Sequence, residues 1–178
     1  ETVLDLVKTR EAEGYSYDTA QASFEVLARR ELGLCPEFFD VKRYKVSVER
    51  RKNKYNRMVS LSEAVVVVRI NGEKKMSVSE SMDELGNDRG PVNALSKALA
   101  KDLGPYQKMI DDMSLVDYKV RITQGGTEAV TRVVIDCEDS KGRCWSTVGV
   151  SANIVDASFE ALLDAINWKL IRDTGQRA

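Results

Sequence analysis

Two periods of apolar residues alternate along this chain. From Val41 the period is two: Tyr44, Val46 and Val48 are separated by charged or polar residues, as in a strand with one buried face. The apolar positions of 61–70 and 74–82 predict two more strands, joined by Asn71-Gly72, a strong signal for a two-residue hairpin turn. The period then lengthens. Ala94, Leu95, Ala98, Leu99 and Leu103 fall on one helix face, and Pro91 suits the first turn of that helix. The whole order recurs downstream. Tyr44-Lys45-Val46 returns as Tyr118-Lys119-Val120, and strands are expected near 115–123, 128–138 and 143–151. Ala161, Leu162, Ala165, Ile166 and Leu170 then repeat the first helix's intervals, with one Leu-to-Ile exchange, in a helix over 158–172.

Residues 1–36 follow a different pattern. Val3, Leu4 and Val7 form a short apolar stripe that ends near Gly14, and Asp18 or Thr19 is placed to start a second helix carrying Phe24, Leu27 and Ala28 on one face. Gly33 and Pro36 stop it. This pair has too little apolar surface to stand alone and is expected to pack on a neighbour. The fold class is therefore α+β. A helical linker subdomain (1–36) precedes two βββα units (37–110 and 111–178), which either share a core or meet in a dimer.

Composition narrows the chemistry. At 178 residues, 43% apolar and 31% charged, the chain is an ordinary globular sequence, and its net charge of −1 gives no general attraction to nucleic acid or to an anionic membrane. The apolar run 64–68 is far too short to span a bilayer. There is no histidine, which removes the usual general base and the usual nitrogen ligand for metals. Three irregularly spaced cysteines, Cys35, Cys137 and Cys144, point to a reducing, cytoplasmic setting. A hairpin turn over 139–142 sets Cys137 and Cys144 across from each other, which makes a disulfide geometrically conceivable. The chain starts at Glu1 without a methionine and shows no signal peptide, as a fragment of a longer protein does.

The individual motifs mostly take bland readings. The basic run 50–57 reads as a solvated hairpin loop rather than a nucleic-acid patch, since nothing else in the chain is basic. Gly125-Gly126 lacks phosphate-loop spacing and reads as a hairpin connection. Glu80, Asp83, Glu84 and Asp88 lack the spacing of a calcium loop, and Ser146, Ser151 and Ser158 have no histidine to activate them. No catalytic residue and no metal ligand emerges. The glycine-rich loop before Pro91 and the small-residue loop 150–154 before the second helix are more suggestive. Helix N-termini offer free amides to a carboxylate, and a strand carrying Leu115, Tyr118 and Ile122 offers an apolar wall. A small amphiphile such as a branched-chain amino acid fits that combination.

Four runs carry a family resemblance. They are Gly90-Pro91-Val92-Asn93-Ala94-Leu95, Leu115-Val116-Asp117-Tyr118-Lys119-Val120-Arg121-Ile122, Gly126-Thr127-Glu128-Ala129-Val130-Thr131-Arg132-Val133 and Thr147-Val148-Gly149-Val150-Ser151-Ala152-Asn153-Ile154. In this order they resemble the C-terminal regulatory domain of the 2-isopropylmalate synthase and citramalate synthase family, and 14–17 with 22–30 resemble the helical linker before it. The linker and the Leu-Val-Asp-Tyr-Lys-Val-Arg run are more similar to the citramalate synthase branch. The resemblance implies a homodimer whose end-product amino acid binds between the βββα units near the dimer interface: isoleucine for citramalate synthases, leucine for isopropylmalate synthases. The implied lining is Val92, Asn93, Leu115, Tyr118, Ile122, Ala129, Thr131, Val150, Ala152 and Ile154. Ala152 and Asn93 are departures from the family pattern that bear on effector choice. The family's catalysis, with its divalent metal and acetyl-CoA, belongs to an N-terminal (β/α)₈ barrel that this chain lacks, so no cofactor and no catalytic role is expected here. A purely structural dimerisation module stands as the alternative.

Overall fold

The computed structural model describes residues 2–83, 90–123 and 129–175. In chain order the elements are α1 (Val3–Ala12), α2 (Gln21–Glu31), β1 (Asp40–Lys52), β2 (Met58–Ile70), β3 (Glu73–Asp83), α3 (Gly90–Ala100), a 3₁₀ turn at Gly104–Tyr106, α4 (Gln107–Ile110), β4 (Ser114–Thr123), β5 (Val130–Glu138), β6 (Cys144–Ser151) and α5 (Ile154–Asp173). Two antiparallel three-stranded sheets, β1-β2-β3 and β4-β5-β6, bear out the α+β class and the doubled βββα pattern. The chain divides into two compact units: residues 37–107, and residues 1–36 together with 108–178. The helical pair is thus grouped with the second βββα unit.

The repeat extends to its irregularities. In each copy the register between the first two strands slips two residues before the tyrosine, between Val41 and Arg43 and again between Leu115 and Asp117. A bulge of this kind bends and twists its strand, so both tyrosines follow the same kink. Asn71 and Gly72 both have positive φ, +51° and +81°, as the hairpin reading requires. In the first unit Ala94, Leu95, Ala98, Leu99 and Leu103 bury against Ala64, Val66, Val68 and Ile70 of β2. In the second, Ala161, Leu162, Ala165, Ile166 and Leu170 bury against Val133, Ile135 and Cys137 of β5. α5 lies close on the sheet at Gly149, where an ideal Cβ would stand 1.9 Å from the Ala157 carbonyl oxygen.

Several boundaries differ from the periodicity. β1 runs on through Arg50, Arg51 and Lys52, because these pair with Ser60, Val59 and Met58; the turn proper begins at Asn53, whose Oδ1 accepts the amides of Tyr55 and Arg57. α2 starts at Gln21 rather than at Asp18 or Thr19, since the Asp18 carboxylate takes the Ser16 hydroxyl and the Thr19 amide in a local turn instead. α5 starts at Ile154, earlier than 158, because Asn153 caps it. The conceivable disulfide is ruled out by register. Cys144 pairs with Glu138 and Cys137 with Trp145, so the two thiols lie on opposite faces and both are free. Gly125-Gly126, Glu84 and Asp88 lie outside the described residues.

The second unit also buries charge. Lys169, 1% exposed, reaches Asp173 at 2.8 Å, Asp139 at 2.9 Å and Asp112 at 3.1 Å, and Arg143 bridges Asp139 and Asp173. Burial opposes ionisation of Asp139, but Lys169 and Arg143 outweigh it and hold its carboxyl below the ordinary range. Among the described residues, no helix is long and apolar enough to cross a membrane.

Candidate functional site

Antiparallel partners share a face, so the register sorts the expected effector residues. Leu115 pairs with Cys137, Tyr118 with Ile135, and Ile122 with Thr131. All lie on the side where Val133, Ile135 and Cys137 meet α5. Leu115, Tyr118 and Thr131 are half-buried, while Ile122 is 73% exposed, an aliphatic wall left open beyond the end of the helix. Ala129 stands just before β5 and is exposed. Ala152 and Ile154 are exposed at the turn into α5. Val150 occupies the other face, against the cluster of Tyr15, Tyr17, Ala20 and Val148. Val92 and Asn93 belong to the 37–107 unit, where Val92 is buried in α3 and the Asn93 amide lies 3.3 Å from the Ser81 hydroxyl.

Tyr118 is fixed from both ends. Its ring sits on β4, and its hydroxyl lies 2.8 Å from Ser158 Oγ in the first turns of α5. Ser158 commits its own proton to the Ile154 carbonyl at 2.6 Å, so Tyr118 donates. Burial pushes the phenol's pKa up, and the ring stays neutral. Ser158, which stands in the sequence only as a serine with no histidine to activate it, is not marked by spacing for this role. The α5 terminus differs from the expected open anion cradle. Asn153 Oδ1 already accepts the amides of Val155 at 2.8 Å and Asp156 at 3.4 Å, and Asp156 adds a negative charge to the first turn.

The same helix carries a second set of contacts on α2. Ser23 donates to Asp164 at 2.9 Å and receives the Val148 amide at 2.9 Å, and Arg30 lies 3.2 Å from Asp164. Burial raises the Asp164 pKa to about 6, despite Arg30 and Ser23. Burial also raises Glu160, which accepts the Tyr15 hydroxyl. Trp168 donates to Glu25 of α2 at 2.9 Å and stacks on Trp145 with ring centroids 4.8 Å apart. Among the described residues, no group of three or more Cys, Asp or Glu is arranged to hold a metal ion.

The sequence is similar to those of known proteins. Residues 18–170 match the family described as the LeuA allosteric (dimerisation) domain. The chain is 40% identical over 173 residues to the (R)-citramalate synthase of Aquifex aeolicus, covering 96% of this chain and 31% of that protein. It is 41% identical over 170 residues to the (R)-citramalate synthase of Geobacter sulfurreducens, covering 94% and 30%. A 2-isopropylmalate synthase of Clostridium kluyveri is 33% identical over 150 residues, covering 84% and 25%. The chain thus spans under a third of the length of these relatives. Matched along most of its length and with both βββα copies formed, the chain belongs to the LeuA allosteric (dimerisation) domain family.

Proposed function

We propose that this chain is the effector-sensing part of a longer citramalate synthase, in which isoleucine bound at the interface of a homodimer inhibits an N-terminal catalytic portion. In that reading the acetyl-CoA and divalent-metal chemistry belongs to the catalytic portion and not to these residues. The observation that carries the reading is the open aliphatic face beside Tyr118. Leu115, Ile122 and Thr131 line up with the ring on one side of the sheet, and Ser158 holds the ring in place. An aliphatic side chain is recognised by such a surface through burial. Its carboxylate must find donors other than the Val155 and Asp156 amides, which Asn153 holds.

Inhibition requires that the effector bind one state of the enzyme better than another, with a coupling of about 1–3 kcal/mol. α5 is the element suited to carry it. This 20-residue rod touches Tyr118 near its start, Tyr15 through Glu160, and α2 through Asp164 and Trp168. A change at the tyrosine therefore reaches α2, the helix before the first βββα unit. The test is thermal unfolding with isoleucine, leucine, valine and alanine. A ligand at about 100 times its Kd stabilises a fold by roughly 2.7 kcal/mol. Isoleucine is expected to give the shift and Tyr118→Ala to abolish it; an unchanged shift in that variant removes Tyr118 from the site. The likeness to a 2-isopropylmalate synthase favours leucine as the second reading. One methyl position is worth about 1–3 kcal/mol, so the panel separates the two. No shift with any amino acid leaves a dimerisation module.

A further inference from the structure

We propose that the face of the second sheet turned away from α5 carries a separate site for a small hydroxylated carboxylate, gripped by Arg121 and Arg132. The register sets Arg121 of β4 directly opposite Arg132 of β5. Like charges so placed destabilise a strand pair. Lys119, two residues before Arg121, adds a third cation to the same face. The scaffold does not demand this arrangement. At the repeat-equivalent positions of the first sheet stand Ser47 and Glu63, paired in the same way. The cations line a cavity of about 420 Å³ together with the hydroxyls of Ser16, Thr19 and Ser146. That volume lies in the range of about 300–1,000 Å³ usual for small-molecule sites.

The nearby acids are already engaged. Asp136 accepts the Ser146 hydroxyl at 2.6 Å and lies 3.9 Å from Lys119, which also pairs with Asp117 at 3.3 Å. Asp18 is held by Ser16 and by the Thr19 amide. Arg132 donates its Nε to the Gly14 carbonyl at 2.6 Å, which fixes the plane of its guanidinium. Among the described residues Arg121 forms no ion pair. Two arginine forks side by side suit a planar carboxylate, which accepts paired N–H donors. Asp18 and Asp136 at the same wall disfavour a second negative charge, and the Ser16 and Ser146 hydroxyls, whose protons go to those two carboxylates, leave lone pairs that accept from a hydroxyl on the ligand. The combination selects a monoanionic hydroxycarboxylate over a phosphate or a dicarboxylate.

Titration of the chain with lactate, succinate and phosphate in physiological salt, followed by amide NMR, tests the assignment. Lactate should give saturable shifts around 16–19, 119–121 and 132, and Arg121→Gln should weaken it at least about tenfold, as loss of a charged hydrogen-bonding partner does. Without any anion, Arg121→Gln should raise the Tm, because the cross-strand repulsion is relieved. A lower Tm in that variant means that Arg121 serves the fold and overturns the argument. So do equal lactate affinities in parent and variant, tighter phosphate or succinate binding, or no saturation. The isoleucine response should be the same in Arg121→Gln, which keeps this site distinct from the one around Tyr118.

Discussion

Val78 and Val148 occupy the same place in the two copies of the repeat and meet different fates. Each is the third member of a cross-strand row, Lys45–Val65–Val78 in one sheet and Lys119–Val134–Val148 in the other. Val78 is 38% exposed, whereas Val148 is fully buried beneath Tyr15, Tyr17 and Ala20. The first sheet packs α3 on one face and leaves Met76, Val78 and Met82 exposed on the other. The second has α5 on one face and the segment around α2 on the other. One duplicated unit thus becomes a two-layer and a three-layer structure, and the difference lies in a segment outside the repeat.

The largest expected effect tests the buried charges. Position 169 in the second copy corresponds to Asp102 in the first, where a partly exposed pair with Lys75 replaces the buried cluster. Lys169→Met removes the buried cation, leaves Arg143 to hold Asp139 and Asp173, and should cost about 3–5 kcal/mol in denaturant unfolding. Asp102→Asn should cost under about 1 kcal/mol. A similar loss in both variants would erase the distinction between the copies. Next comes the helix–sheet approach. Gly149→Ala drives a methyl into the Ala157 carbonyl and should cost about 3 kcal/mol, while Ser79→Ala at the equivalent point should be nearly neutral. Equal Tm values for Gly149→Ala and the parent chain would show that α5 can move away at no cost.

A pH series sharpens the role of α2. The Asp164 pKa, about 6 when folded, lies above the unfolded value of about 3.9, so the native state holds a proton that the unfolded chain releases. The stability it contributes is full below about pH 4 and is lost as pH rises through about 6. Asp164→Asn should remove this slope, which is of order 2–3 kcal/mol at one pKa unit per 1.4 kcal/mol. An unaltered slope would place the titration elsewhere. Smallest of all is the exchange at the two equivalent valines. Val148→Thr buries a hydroxyl and should cost about 2 kcal/mol, whereas Val78→Thr should stay within about 0.5 kcal/mol. Equal losses would mean that the first sheet's open face is covered in solution.

Much of this was legible in the residues, and the exceptions share a cause. The strands, the hairpin at Asn71-Gly72 and both helix stripes follow from local period, because each reports one face of one element. Tyr118 and Ile122 share a face by the same alternation, whereas Leu115 joins them only through the bulge at Val116, which alternation cannot foresee. Val78 and Val148 look alike in sequence because their difference depends on Tyr15 and Tyr17, more than a hundred residues before Val148. Lys169 breaks an apolar stripe, and its partners Asp112 and Asp139 come from distant turns. Ser158 gives no signal in the sequence because its role lies in one hydrogen bond to a strand. Register also separates Val150 from Tyr118, which alternation counts can do only once the strands are paired.

The stacked tryptophans have an optical consequence. Trp145 and Trp168 are the chain's entire complement of that residue, and their ring centroids lie 4.8 Å apart, close enough for their electronic transitions to couple. Trp168 also leans on a carboxylate of α2, with the Arg172 guanidinium 4.9 Å over its ring. The tryptophan emission of this protein therefore reports on a single place, the seam between α2 and the rest of its unit. Any ligand that shifts α2 against α5 should change that signal, with no label added.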